Sequence, residues 1–141
     1  MNYLLDTNVI SELIAREPNQ KVVDWIDSLD PETVYLSVIT IGELRKGIEK
    51  LASSRRKDQL TTWLASDLLR RFADKMVAIT IDVMLVWGEL TGRLERDGKP
   101  IAAIDSLIAA SVLEGQYTLV TRNEDDFQHT GVPIINPWKL P

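Results

Sequence analysis

The 141-residue chain contains no cysteine and a single histidine, His129. Without cysteine there is no disulfide framework, no thiolate zinc site, no iron–sulfur cluster and no thiol nucleophile. One histidine leaves no multi-histidine metal site, and a Ser-His-Asp triad would have to use His129. No apolar run approaches the ~20 residues that cross a bilayer. The opening Met1-Asn2-Tyr3-Leu4-Leu5-Asp6 has no basic stretch before its first acid, so no signal peptide is expected and the location expected is cytoplasmic. What remains for chemistry is carboxylates, hydroxyls, lysines or a hard metal ion.

The rest of the composition is that of an ordinary globular protein, with 45% hydrophobic and 26% charged residues. The length suits one domain, residues 1–141, with enough chain to bury a core. Sixteen basic residues against 21 acidic ones give a net charge of −5. That balance argues against a surface given over wholly to nucleic acid, and it leaves room for a local basic patch.

Hydrophobic periodicity alternates between two patterns. Asn2–Leu5 is a short apolar run ending in the polar turn Asp6-Thr7-Asn8, as a buried strand before a helix cap would. Val9, Ile10, Leu13 and Ile14 then repeat at helical spacing up to Pro18-Asn19. Val22, Val23, Ile26 and Leu29 predict a second short helix, closed by Asp30-Pro31. Thr33–Leu36 is β-branched and aromatic, a strand. Ser37 is placed to cap a helix whose stripe is Val38, Ile41, Leu44, Ile48 and Leu51. A further long helix is predicted from Arg55 to about Phe72, with Leu60, Trp63, Leu64 and Leu68 inward. Met76–Ile79 predicts a strand, Asp82 opens a helix to about Arg96, and Ile101–Leu113 predicts another, stopped near Gly115. Tyr117–Thr121 and Ile134-Ile135 close the set as strands. Strands separated by helices imply an α/β fold: a central, mostly parallel sheet with helices on both faces.

Open parallel sheets bind ligands beyond the carboxyl ends of their strands. Asp6 stands at such an end, as a helix cap, a functional acid or both. Asp105 is the lone charge in Ile101–Leu113 and shares a helical stripe with Ile101, Ile108 and Val112. A carboxylate there must find a cation, cap a helix or shift its pKa. Glu43 lies off its helix's apolar stripe, where an acid is ordinarily solvated. The segment Thr121-Arg122-Asn123-Glu124-Asp125-Asp126-Phe127 follows the last long strand with one amide and three acids. Carboxylates gathered at one place repel by roughly 4 kcal/mol per pair at 4 Å in a partly wet site. A proton or a divalent cation relieves that repulsion. With oxygen as the main ligand supply, Mg²⁺ or Mn²⁺ is the metal expected, and phosphodiester cleavage the chemistry it serves.

Four stretches in order resemble the PIN domain, most closely the VapC- and FitB-type toxins of toxin–antitoxin pairs. They are Leu4-Leu5-Asp6-Thr7-Asn8-Val9-Ile10-Ser11, Ser37-Val38-Ile39-Thr40-Ile41-Gly42-Glu43-Leu44-Arg45-Lys46-Gly47, Ile104-Asp105-Ser106-Leu107-Ile108-Ala109-Ala110 and Thr121–Phe127. The closing Ile135-Asn136-Pro137-Trp138 matches as well. The resemblance implies a PIN-like three-layer fold and a metal-dependent endoribonuclease. It implies that Asp6 and Asp105 bind Mg²⁺ or Mn²⁺ and that Glu43 binds the ion or holds water beside it. The chain departs from the fullest pattern by having Asn123 where an aspartate often stands. Asp126 is therefore the fourth candidate acid, with Asn123 contributing an amide. Thr7, Asn8 and Thr121 are expected to orient the ligands.

Partners follow from charge and from the resemblance. Arg45, Lys46, Lys50, Arg55, Arg56 and Lys57 crowd the segment after Glu43, with Glu49 as the one acid. They form either an RNA backbone guide or a solvated helical face. The resemblance implies an RNA substrate, a homodimer and a cognate antitoxin, with operator DNA met only through that antitoxin. The apolar residues Trp63, Leu64, Leu68 and Leu69 belong either to the core or to a docking face. Two other function classes use similar residues. One is a phospho-aspartyl domain of the receiver or dehalogenase kind, although Asn8 stands where the dehalogenase pattern needs a second aspartate. The other is a PIN-like binding module without catalysis.

Overall fold

The computed structural model describes every residue from Met1 to Pro141. Five strands, β1 (Tyr3–Leu5), β2 (Val34–Ser37), β3 (Met76–Val77), β4 (Thr118–Val120) and β5 (Ile134–Ile135), form one sheet in the order β3-β2-β1-β4-β5. Every pairing is parallel, and Tyr3 sits in register with Val34 on one side and Thr118 on the other. Seven helices connect and cover the strands: α1 (Thr7–Leu13), α2 (Gln20–Asp27), α3 (Val38–Glu49), α4 (Arg55–Thr62), α5 (Leu69–Arg71), α6 (Ile81–Arg96) and α7 (Ala103–Gly115).

The strands are short apolar runs because both sheet faces are covered. The two-residue pleat sorts them between two cores. Leu5, Leu36 and Val120 point into a cluster with Val9, Ile10, Val22, Ile26, Leu44, Ile48, Leu64, Leu68 and Phe72. Leu4 and Leu119 point the other way, against Leu90, Leu94, Ile108, Ala109 and Val112 of α6 and α7. This is the three-layer arrangement expected, with helices α1 to α5 on one face and α6 and α7 on the other.

Several boundaries differ from the sequence expectation for local reasons. Thr33 belongs to a 3₁₀ turn, Pro31–Thr33, which the Asp30 carboxylate caps at the Glu32 N–H, so the strand begins at Val34. The long helix predicted from Arg55 to Phe72 is interrupted by a π-helical stretch, Trp63–Leu68. Leu64, Leu68 and Phe72 are buried at intervals of four. That spacing exceeds the about 3.6 residues of an α turn, and widening the turn keeps all three facing the core. Leu64 and Leu68 are therefore core, while Leu69 is left exposed. In α3 the burial falls on Thr40, Leu44 and Ile48, with Val38 and Leu51 at the exposed ends of the expected stripe. The β3 strand is only two residues long, and Thr80, not Asp82, caps α6 through the Val83 N–H. The last helix starts at Ala103, so Ile101 lies ahead of it and Asp105 falls in its first turn. Gly115 closes that helix where a side chain would run into the Tyr117 ring.

Leu119 is fully buried on the central part of the sheet. Leu119→Ala is expected to cost about 2–5 kcal/mol, read as a lower urea midpoint at unchanged slope. Leu85→Ala, at a residue 64% exposed, is expected to stay within roughly 0.5 kcal/mol of the parent chain.

Candidate active site

Strand order places β1 at a switch point. From β1 the chain moves to β2 on one side, and β4 later joins on the other. The crevice beyond the carboxyl ends of β1 and β4 is where a parallel sheet leaves backbone and side chains free for a ligand. Asp6 follows β1 and Thr121 follows β4, so both open onto this crevice.

Asp6 is buried and held on both oxygens. The Thr7 N–H donates to Oδ1 at 2.9 Å, which makes Asp6 the cap of α1 as well. The Thr121 hydroxyl donates to Oδ2 at 2.8 Å, and the Asn8 amide donates to the same oxygen at 3.3 Å. Asn8 also donates to Thr121 Oγ1 at 3.1 Å and accepts from the Arg122 N–H at 3.2 Å. The Asn123 N–H donates to Thr121 Oγ1 at 3.1 Å. One amide and one hydroxyl thus tie the turn after β1 to the turn after β4. Glu43 comes from α3, and the Thr7 hydroxyl donates to its Oε1 at 2.6 Å, with the Thr40 hydroxyl hydrogen-bonded to Thr7 at 3.0 Å. Thr40 is the buried member of this chain of hydroxyls. Sequence reading missed it, although its place one turn before Glu43 on the buried side of an otherwise apolar stripe was a signal.

Asp6, Thr7, Asn8, Glu43, Asp105 and Asn123 line one open cleft of about 500 Å³, together with Ser11, Glu12, Arg122 and Trp138. The last four were not anticipated as site residues, although Ser11, Arg122 and Trp138 lie within the stretches that carried the resemblance. Asp126 is exposed in the 3₁₀ turn Glu124–Phe127 and lines the adjoining depression with Asp125 and Lys139, close enough that its charge acts on Asp105 more than that of any other acid. It acts on the cleft through its charge. His129 is exposed and lines neither depression.

None of Asp6, Glu43, Asp105 or Asp126 forms an ion pair. Burial pushes the Asp6 carboxyl above its ordinary value. The hydrogen bonds from Thr121 and Thr7 pull it back, and the charges of Glu43 and Asp126 add to the rise. Asp105 is pushed up to about 6, first by burial and then by the charges of Asp126, Asp6 and Glu43. The first turn of α7 gives Asp105 a favourable dipole, yet this does not offset the other acids. No three carboxylates are drawn close enough to grip one ion together. The carboxylates supply oxygen ligands, negative and without an ion-pair partner. They suit a hard divalent ion that keeps several waters and takes one or two carboxylates directly.

A PIN domain model matches residues 3–133. The chain belongs to the PIN domain family. Among PIN relatives, Toxin FitB of Neisseria gonorrhoeae is 39% identical over 135 residues, 96% of this chain and 97% of that protein. The crystal structure of FitAcB from the same organism superposes with a TM-score of 0.93 at 39% identity, covering 98% of this chain and 99% of that one. VapC ribonuclease Y4jK of Sinorhizobium fredii is 35% identical over 96% of this chain and 97% of its own length. VapBC2 from Rickettsia felis, solved on a DNA fragment from its promoter, gives a TM-score of 0.80 at 27% identity, covering 96% of this chain and 98% of that one. The three-layer PIN fold is thus shared along the whole chain.

The basic segment separates into two groups. Arg56 donates to the Ile14 carbonyl at 2.7 Å, and Lys57 donates to the carbonyls of Glu49 and Leu51 at 3.1 and 2.9 Å. Arg56 thereby ties α4 to the end of α1, and Lys57 fastens the α3–α4 connection. Arg45 pairs with Glu49 at 2.9 Å and does not line the cleft. Lys46 and Lys50 make no ion pair and line a groove of about 490 Å³ that includes Glu43 and Ile104.

The raised value of Asp105 exists only in the folded chain. Between pH 3.8 and about 6 the folded chain keeps a proton that the unfolded chain has released. Stability therefore falls as pH rises through that window. Asp105→Asn removes the charge and is expected to raise stability at pH 7 in metal-free buffer by about 1 kcal/mol, after allowance for water in the open cleft. The gain should shrink as pH is lowered through 6 and vanish below 3.8. Urea melts across that range check it, and an unchanged midpoint at pH 7 would contradict it.

Proposed function

We propose that the chain is a Mg²⁺- or Mn²⁺-dependent endoribonuclease acting in the cytoplasm as the toxin of a toxin–antitoxin pair. The observation that carries this reading is the cleft itself: Asp6, Glu43 and Asp105 share it and none of them forms an ion pair. FitB is named a toxin and Y4jK a ribonuclease, which supports the same activity here. The promoter-bound VapBC2 structure supports an antitoxin partner through which this chain meets operator DNA. We extend the reading to a homodimer, which the resemblance implies and sedimentation of the purified chain tests.

Asp6 and Asp105 are the residues assigned to hold the ion. A bound Mg²⁺ or Mn²⁺ would lower the pKa of water and offset negative charge on the phosphate oxygens during in-line attack. Thr121 and Asn8 fix the orientation of Asp6, so its oxygens are aimed before any ligand arrives. Thr7 aims Glu43, leaving Oε2 free to hold a water against the scissile phosphate. Asp126 adds negative charge at the rim and is assigned to water positioning or a second ion. Attack on phosphorus breaks one P–O bond and leaves a phosphate end and a hydroxyl end. Lys46 and Lys50, in the groove beside Glu43, supply the path for the RNA backbone.

Asp6→Asn and Asp105→Asn are each expected to lower cleavage of a defined RNA at least roughly 100-fold, and EDTA to abolish it. Gel assays with folding checked by circular dichroism decide this. Cleavage at the parent rate by either folded variant would overturn the scheme, and metal-independent inactivity of clean protein would favour a binding module. Thr7→Val should cost about 10–100-fold by releasing Glu43. Replacing Lys46 and Lys50 with glutamine should flatten the dependence of log K on log salt by roughly 0.7 per lost phosphate contact.

A further inference from the structure

Trp138 is the single apolar side chain lining the acidic cleft. The ring is half-buried against the core cluster that holds Leu5, Val9 and Ile10. Its indole N–H donates to Glu12 Oε1 at 3.1 Å, and its backbone N–H donates to Asn136 Oδ1 at 3.0 Å. Asn136 is itself buried, and its amide donates to the Arg122 carbonyl at 3.3 Å and to Glu124 Oε2 at 3.0 Å. The chain segment after β5 is thus bolted to the turn after β4. The Arg122 guanidinium carbon lies 5.3 Å from the centre of the indole ring. Arg122 is exposed and pairs with no acid, although acids surround the cleft it lines.

We propose that the Trp138–Arg122 stack is a nucleobase platform, which seats one unpaired base of a single-stranded RNA beside the scissile phosphate. The inference rests on the ribonuclease reading and deepens it. A base has two flat faces, and RNA recognition by stacking on aromatic rings and on guanidinium planes works on unpaired bases. Trp138 is rigid, so little side-chain freedom is lost when a base arrives. Arg122 presents its outer plane to the base while its charge answers the neighbouring phosphate. Arg122 and Trp138 line the same cleft as Asp6, Glu43 and Asp105, so a base seated on the outer plane of Arg122 brings its own phosphates to those acids. The platform selects single-stranded over paired RNA, because a paired base cannot offer a free face there.

The test compares two probes of equal length and charge, an oligoadenylate of about twelve nucleotides and the same ribose-phosphate chain without bases. That length falls within the roughly 4–16 nucleotides of single-strand sites. Binding is read by fluorescence anisotropy in EDTA, and cleavage of the oligoadenylate is read separately with Mg²⁺. The intact protein is expected to bind the base-bearing probe roughly tenfold tighter. Arg122→Lys keeps the charge and loses the plane, and Trp138→Leu loses the ring. Each should bring the ratio toward one, while Trp138→Phe should restore most of it. Arg122 is exposed, so its variant keeps the question open to measurement even where Trp138→Leu unfolds. A ratio near one in the parent protein overturns the platform, as does a ratio that both variants leave unchanged. A base preference that collapses in the variants, without any cleavage in Mg²⁺, keeps the platform and sinks the nuclease reading.

Discussion

A hydrogen bond between residues 115 positions apart holds the cleft together: the Thr121 hydroxyl donating to Asp6 Oδ2 at 2.8 Å. It joins the ends of two adjacent parallel strands at the point where the sheet changes direction. Asp6 is buried and carries no cation, so its negative form depends on donors that the fold must bring. Thr121 and the Thr7 N–H are those donors, and Asn8 links them to the backbone of Arg122. The rest of the site follows from this arrangement. Thr7 reaches Glu43 from one side, while α7 delivers Asp105 from the opposite layer.

Electrostatics gives the cleft its character. A protein that gathers carboxylates without counter-charge accepts a cost in stability, and here that cost appears as protons held by Asp6 and Asp105 above their ordinary range. Basic residues were available nearby. Arg56 and Lys57 are committed to backbone carbonyls, Arg45 to Glu49, and Arg122 lies over Trp138. Each has a partner other than Asp6, Glu43 and Asp105, so the negative field of the cleft is preserved for a ligand. Lys46 and Lys50 line the groove beside it, which Glu43 shares, and form no ion pair.

Much of the α/β pattern was legible because both sheet faces are buried. Apolar strands of three or four residues stand out against helices with amphipathic spacing, and β1, β2, β4 and β5 were each anticipated close to their observed places. The boundaries that moved did so where tertiary packing competes with local pattern. The π-helical stretch at Trp63–Leu68 answers a burial spacing of four that only the core imposes. Asp105 was legible as the lone charge of an apolar helix. Glu43 was not legible by itself, since a solvated glutamate on a helix flank looks the same.

The residue chemistry was determined by the sequence alone: no thiol, one imidazole, and acids placed at strand ends and on one apolar helix. That was enough to specify oxygen ligands and a parallel sheet, because ligand type and periodicity are local properties. Only the tertiary structure decided which acids share a cleft. Asp6, Glu43 and Asp105 meet there, while Asp126 is left at its rim. It also decided that Glu12, Thr40, Arg122 and Trp138 support or line the site. Their partners lie between 16 and 126 positions away in the chain, and only strand order and helix packing bring such residues into contact.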